Sequence, residues 1–309
     1  MQKEKTLRFW DDFYLKEKES EESRTSKEWI VQPTQDILES ISSHLSEKNK
    51  DDDHHEILEH QGLNILEIGC GNSLFSLILW EYLLQTAKTK NVKTRISVTS
   101  TDVSSICISH NQERDEDRIK SIALSKGRGS IFRYSILNVI EPNDNDDLLG
   151  KHDGILDKGC LDTFLFRSEK SKGDMHPPLL KSLLDNVHSW LKDDGKYIIF
   201  SPRSKIKAVR DYRGFSSVKR FKMQCMGDLD GKAKDNETVY MYVCVKCDSY
   251  EVGDEPFRDA LKVPSDDDKC AICAMTFALF RNGEDVSGKG VKYWSRTWSG
   301  HGTHCKAKI

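Results

Sequence analysis

Ile65-Leu66-Glu67-Ile68-Gly69-Cys70-Gly71-Asn72-Ser73 constrains the fold of this chain more than any other stretch. Residues suited to a buried strand run into a two-glycine turn, and an apolar helical run, Leu74 to Leu84, follows at once. A second β-rich run, Ile96-Ser97-Val98-Thr99-Ser100-Thr101, ends in Asp102. Strand, helix and strand in that order predict a parallel pair joined by a crossover. Glycines let the backbone approach a ligand closely, and a carboxylate ending the next strand can accept two hydrogen bonds from a ribose diol. The two features together predict a nucleoside cofactor.

The turn narrows the choice. A dinucleotide fingerprint needs a third glycine against the pyrophosphate, and a P-loop needs its lysine. Gly69-x-Gly71-Asn72-Ser73 supplies neither. Glu67, two residues before the first glycine, is a poor neighbour for a phosphate and a good one for an ammonium group. E-x-G-x-G resembles the first motif of class I S-adenosylmethionine (SAM) methyltransferases, whose cofactor carries a ribose and an amino-acid end and no phosphate.

The rest of the chain supplies matching elements. Lys151 to Asp157 predicts a fourth strand, and Pro177 to Leu191 repeats apolar residues at helical spacing. Asp193-Asp194-Gly195 predicts a turn and Lys196 to Ser201 another buried strand. Phe215 to Met226 and Thr238 to Cys247 predict two strands joined by a polar loop. The expected class is α/β: a Rossmann-like, seven-stranded, mostly parallel sheet with an antiparallel C-terminal hairpin, plus a small Cys/His-rich C-terminal extension. The expected division is an N-terminal segment over 1–45 covering the cofactor site, a methyltransferase domain over 57–247 and the extension over 248–309.

Asp157-Lys158-Gly159-Cys160-Leu161-Asp162, read with Gly69-Cys70-Gly71-Asn72-Ser73, resembles one branch of the class I enzymes. These are the protein methyltransferases related to the lysine and N-terminal methyltransferase of translation elongation factor 1A, and to the methyltransferase encoded with endothelin-converting enzyme. Phe9-Trp10-Asp11-Asp12-Phe13-Tyr14, followed by Glu28-Trp29, is similar to the aromatic segment that lies over the cofactor in such proteins. The resemblance implies that Glu67, Gly69, Cys70, Gly71 and Asn72 surround the methionine end of SAM. It implies that Asp102, followed by Val103, takes the ribose. Relatives place an Asp after the third strand to receive the adenine amino group; here Asn138 stands in its place, with an amide oxygen that can accept the same bond. Asp157, Asp162, Phe164 and Trp10 are implied to line the pocket for the substrate amine, with Asp157 also near the cofactor. Capping of the following helix is the alternative use of Asp157 and Asp162, and core packing the alternative for Trp10.

A SAM-dependent protein methyltransferase is therefore expected, acting on a lysine side chain of a protein such as elongation factor 1A. The alternatives are a methyltransferase for RNA or a small molecule, and a non-catalytic adaptor with a methyltransferase fold. Absence of an N/D-P-P-Y/F motif argues against base methylation. A net charge of -3 gives no general nucleic-acid footprint. No apolar run reaches the roughly 20 residues of a membrane span. Nine cysteines, with Cys107, Cys225 and Cys244 in predicted strands, imply reduced thiols and a cytoplasmic location. Ser46 to Glu56 and Asn143 to Asp147 read as solvated loops.

The C-terminal extension carries a second expectation. Cys270 and Cys273 in C-x2-C, followed by His301 and Cys305, have the spacing of a tetrahedral zinc site, with His304 a substitute ligand. Cys244-x2-Cys247 is a rival partner for the first pair, ranked lower because strand alternation sends those two side chains to opposite faces.

Overall fold

The computed structural model describes residues 2–19, 28, 30–46, 62–92, 94–126, 129–141, 148–169, 178–224 and 238–250. Two helices come first, α1 (Gln2–Glu19) and α2 (Gln35–Ser46). Then follow β1 (Leu63–Ile68), α3 (Phe75–Thr89), β2 (Ile96–Asp102), α4 (Ser105–Lys126), β3 (Ile131–Ile136), β4 (His152–Lys158), α5 (Cys160–Glu169) and α6 (Pro178–Trp190). The chain continues through β5 (Leu191–Ser201), α7 (Lys207–Asp211), β6 (Phe215–Gln224) and β7 (Thr238–Lys246).

Seven strands form one sheet in the order β3-β2-β1-β4-β5-β7-β6. Neighbours from β3 to β5 are parallel, whereas β7 runs antiparallel to both β5 and β6. This is the expected seven-stranded, mostly parallel sheet with its antiparallel C-terminal hairpin. The sheet is built by alternation: Ile65 of β1 faces one apolar cluster while Leu66 and Ile68 face the other. The same period of two separates Leu156 from Ile155 and Ile198 from Tyr197. Helices α2, α3 and α4 cover the first face, and α5, α6 and α7 the second. Trp80 of α3 is fully buried and donates its indole N–H to the carbonyl of Ile96 at 3.2 Å, fixing α3 on the start of β2.

Strand order reverses at β1, which has β2 on one side and β4 on the other. A doubly wound sheet leaves a crevice at the carboxyl ends of the strands flanking such a point. Both sequence motifs lie there, Gly69 to Ser73 after β1 and Asp157 to Asp162 at the end of β4.

Three local readings are corrected. Cys107 lies in α4, not in a strand, because Ser104 caps that helix: its hydroxyl accepts the Cys107 N–H at 3.3 Å. Asp193-Asp194-Gly195 does not separate α6 from a later strand. It is a bulge inside β5, with Asp194 at φ 60 and the register jumping from His152–Leu191 to Gly154–Lys196. Cys247 lies beyond the end of β7, so the alternation argument does not reach it, and both Cys244 and Cys247 pack on the same apolar cluster. Cys225, Trp29 and the proposed zinc ligands Cys270, Cys273, His301 and Cys305 lie outside the described residues.

His152 opens β4 at the end of the strand remote from the crevice. It is 6% exposed, and neither ring nitrogen has a hydrogen-bond partner among the described residues. Burial lowers its pKa to about 4 from the ordinary 6.5. Between those values the unfolded chain binds a proton that the folded chain refuses, so this residue costs stability as pH falls through the window. The loss approaches about 3 kcal/mol at the acid end. Asp102 and Asp157, raised toward neutrality by burial, act in the opposite sense. The contribution of His152 is therefore isolated by difference. Denaturant melts at pH 7 and pH 4.5 should show His152→Phe gaining on the wild type at the lower pH.

Candidate functional site

Gly69 and Gly71 adopt positive φ, +62 and +56, where an L side chain is strained. A Cβ on Gly69 would stand 2.8 Å from that of Cys160, so the same glycine lets the turn after β1 close against the start of α5. The turn is tied to β2 as well: Cys70 N–H donates to the Thr101 carbonyl at 2.8 Å and Thr101 Oγ1 to the Glu67 carbonyl at 2.7 Å.

Asp102 sits where these two segments meet. One carboxylate oxygen accepts the Gly71 N–H at 3.0 Å and the other the Ser104 N–H at 3.0 Å. The side chain is 6% exposed. Burial pushes its pKa up to about 6 even though those backbone donors favour the charged form. Val103, half-buried, follows it directly. Each carboxylate oxygen has a further lone pair, so two more donors, such as a vicinal diol, fit its acceptor capacity.

Residues from α4 hold the turn from behind. Asn111 donates to the Gly71 carbonyl at 2.7 Å, and Arg114 donates to the side-chain oxygen of Asn72. Arg114 also pairs with Asp115 at 2.7 Å, which in turn accepts from Tyr134 at 2.6 Å. Asn72, expected at the ligand, is thus buried in a network with Arg114. Asn138 follows β3 with its amide oxygen accepting the Ile140 N–H at 3.3 Å, which leaves that oxygen one lone pair.

Helix α1 lies against this region through Asp11, which accepts the Ser104 hydroxyl at 2.6 Å. Trp10 stacks on Tyr14 with ring centroids 6.1 Å apart and meets Phe13 edge-on. Trp10 is half-buried, whereas Tyr14 is buried.

Asp157 of β4 and Asp162 of α5 serve different partners. Asp157 is fully buried, accepts the Leu161 N–H at 3.0 Å as a cap on α5, and accepts the Tyr197 hydroxyl at 2.6 Å. Burial raises its pKa to about 7 despite both bonds. Asp162, also fully buried, pairs with Arg203 at 2.9 Å and accepts the Ser201 hydroxyl at 2.9 Å. Phe164 is half-buried against the second apolar cluster. Lys158 lies between Glu28 and Glu67, 3.3 and 3.6 Å away.

Among the described residues one group has the ligand types of a metal site: Cys70, Asp102 and Cys107, whose donor atoms lie within 4.8 Å of one another. A hydrogen bond that the Cys70 thiol makes to Cys107, together with burial, holds that thiol well above its ordinary pKa. A protonated thiol is a poor ligand for zinc. The Asp102 carboxylate is already held by the Gly71 and Ser104 backbone donors.

No protein-family model matches this chain, and no curated protein matches it. Some solved structures overlap with it. The CMeT domain of the citrinin polyketide synthase aligns over 60% of this chain and 46% of that one, at 14% identity and TM-score 0.35. A protein studied for conversion of a disulfide bond into a thioacetal group in echinomycin biosynthesis aligns over 78% and 93%, at 12% identity and TM-score 0.45. A SAM-dependent methyltransferase of Methanosarcina mazei aligns over 60% and 92%, at 13% identity and TM-score 0.37. This chain spans less than half the length of the first. The architecture rests on the strand order and its antiparallel β7, not on these overlaps.

Proposed function

We propose that the chain is a SAM-dependent methyltransferase acting on protein, with a lysine side chain as acceptor. The observation that carries the reading is Asp102, a buried carboxylate ending β2 and hydrogen-bonded to the backbone of the glycine turn after β1. One residue thereby joins the two halves of a nucleoside site at the switch point of the sheet. The side chains fit SAM at both ends. Asp102 has acceptor capacity for the ribose hydroxyls, and Glu67 offers the α-ammonium a buried oxygen with no hydrogen-bond partner among the described residues. Gly69 and Gly71 give the backbone its close approach, with Cys70, Asn72 and Val103 framing them. Asn138 offers its remaining lone pair to the adenine amino group.

Bound there, SAM supplies an electrophilic methyl group whose in-line transfer leaves S-adenosylhomocysteine. The protein's share is mainly position. Trp10, Phe164, Asp157 and Asp162 are the proposed walls for the acceptor amine. An apolar wall favours the neutral amine that attacks. The protein class of substrate, with elongation factor 1A as its instance, rests on the sequence resemblance, and a cytoplasmic setting on the cysteine usage. No helix among the described residues is long and apolar enough to cross a membrane.

Calorimetric titration of the full chain with S-adenosylhomocysteine tests the cofactor assignment. One-to-one binding is expected; no binding overturns it. Zinc on Cys270, Cys273, His301 and Cys305 is a separate proposal resting on spacing alone. Metal analysis of the purified full chain should find one equivalent, and metal-free folded protein would remove it.

A further inference from the structure

Side chains from four separate parts of the chain meet at the N-terminus of α3. Glu28 uses both oxygens: one accepts the Leu74 N–H at 2.9 Å, the other the Ser73 hydroxyl at 2.7 Å and the Lys158 ammonium at 3.3 Å. Lys158 also donates to Ser73 Oγ at 2.5 Å and stands 3.6 Å from Glu67 Oε1. The side chains of Lys158, Glu28 and Glu67 are 4%, 6% and 1% exposed. Two buried carboxylates thus share one ammonium, and the cluster keeps one negative charge in excess. A buried charge without a partner is costly. The excess has an address: Glu67 Oε2 accepts the Ser100 hydroxyl at 2.6 Å, while Oε1 has no hydrogen-bond partner among the described residues. A cationic N–H donor placed on Oε1 completes both the hydrogen bonding and the charge balance.

We infer that Glu28 and Lys158 are positioning residues for the amino-acid end of the cofactor, acting through Glu67. This rests on the SAM reading above. Glu28 draws Lys158 toward itself and Ser73, and so leaves Glu67 Oε1 for an incoming ammonium. With Glu28 neutral, Lys158 belongs to Glu67 alone and the excess charge disappears. The next residue serves the same seat. Gly159 has φ +90, where an L side chain is strained, and a Cβ there would stand 2.5 Å from Cδ1 of Ile30, two residues beyond Glu28. The Lys158-Gly159 pair therefore receives both a charged and an apolar residue of the N-terminal segment. Burial opposes the charge on Lys158, yet Glu28 and Glu67 outweigh it and hold the pKa above its ordinary value.

The test compares two ligands on the full chain by calorimetry. S-adenosylhomocysteine carries the α-amino-acid end, and 5′-methylthioadenosine keeps the nucleoside half without it. Glu28→Gln should weaken the first about tenfold, equivalent to one lost charge-assisted contact, and leave the second within about twofold. Glu28→Asp, which keeps the charge, should restore most of the ratio between the two ligands. A ratio that stays at the wild-type value in Glu28→Gln, or that falls equally in Glu28→Asp, overturns the inference while the SAM reading stands. Wild-type protein that binds neither ligand overturns both.

Discussion

Asp102→Ala should weaken binding of S-adenosylhomocysteine by more than about 100-fold while the protein stays folded. Two hydrogen bonds from a ribose diol to a buried carboxylate are together worth roughly 3 kcal/mol or more, and that is two decades of affinity. The same substitution should cost a moderate amount of stability without unfolding the protein. Asp102 is 6% exposed, and burial already raises its pKa to about 6, so losing the charge removes a desolvation burden along with two bonds to backbone. The Gly71 and Ser104 N–H groups lose their acceptor, which sets the expected destabilisation at about 1–3 kcal/mol. Calorimetry and a thermal melt on one preparation separate the two effects. Wild-type affinity in a folded Asp102→Ala protein would remove the nucleoside site from this crevice.

The largest stability effect is expected at Arg203. Its guanidinium is 4% exposed and pairs with Asp162, which is fully buried. Arg203→Met leaves that carboxylate in the apolar interior with the Ser201 hydroxyl still donating to it. Removing one member of a buried pair costs about 3–5 kcal/mol, or roughly 10 °C in a domain of this size. Replacing both, Arg203→Met with Asp162→Leu, should recover much of the loss because no orphan charge remains. Denaturant melts of the two single variants and the double variant check this, and a loss below about 1 kcal/mol in Arg203→Met would show that the pair is not buried in solution.

The sheet was legible because its strands are short, apolar and punctuated. Ile65 to Ile68 breaks at Gly69, Ile96 to Thr101 ends at Asp102, and Thr238 begins a strand that alternates between two clusters. Local patterns failed where tertiary structure overrode them. Cys107 read as strand because Ile106 and Ile108 flank it, and the decisive signal, Ser104 as a helix cap, is one residue long. The bulge at Asp194 read as a turn between elements because positive φ looks the same in both settings.

At the site, the residue that ends a strand or sits in a glycine turn could be found, and its partners could not. Glu28 meets Ser73 across 45 positions and Arg203 meets Asp162 across 41, pairings that only the fold brings together. Asn111 and Arg114 lie in a charged helical stretch with no motif of its own, yet they hold the glycine turn. Asp157 was legible in both of its readings, and its bond to the Leu161 N–H realises the capping one.

The measurement that tests the account most directly is transfer of labelled methyl from SAM, by the full-length chain, into a fractionated cell lysate. The account predicts label in a protein band, on lysine when that band is sequenced by mass spectrometry, and loss of the label with Asp102→Ala. Label confined to RNA or small molecules would contradict the substrate class, and no label in any fraction would contradict the enzyme itself.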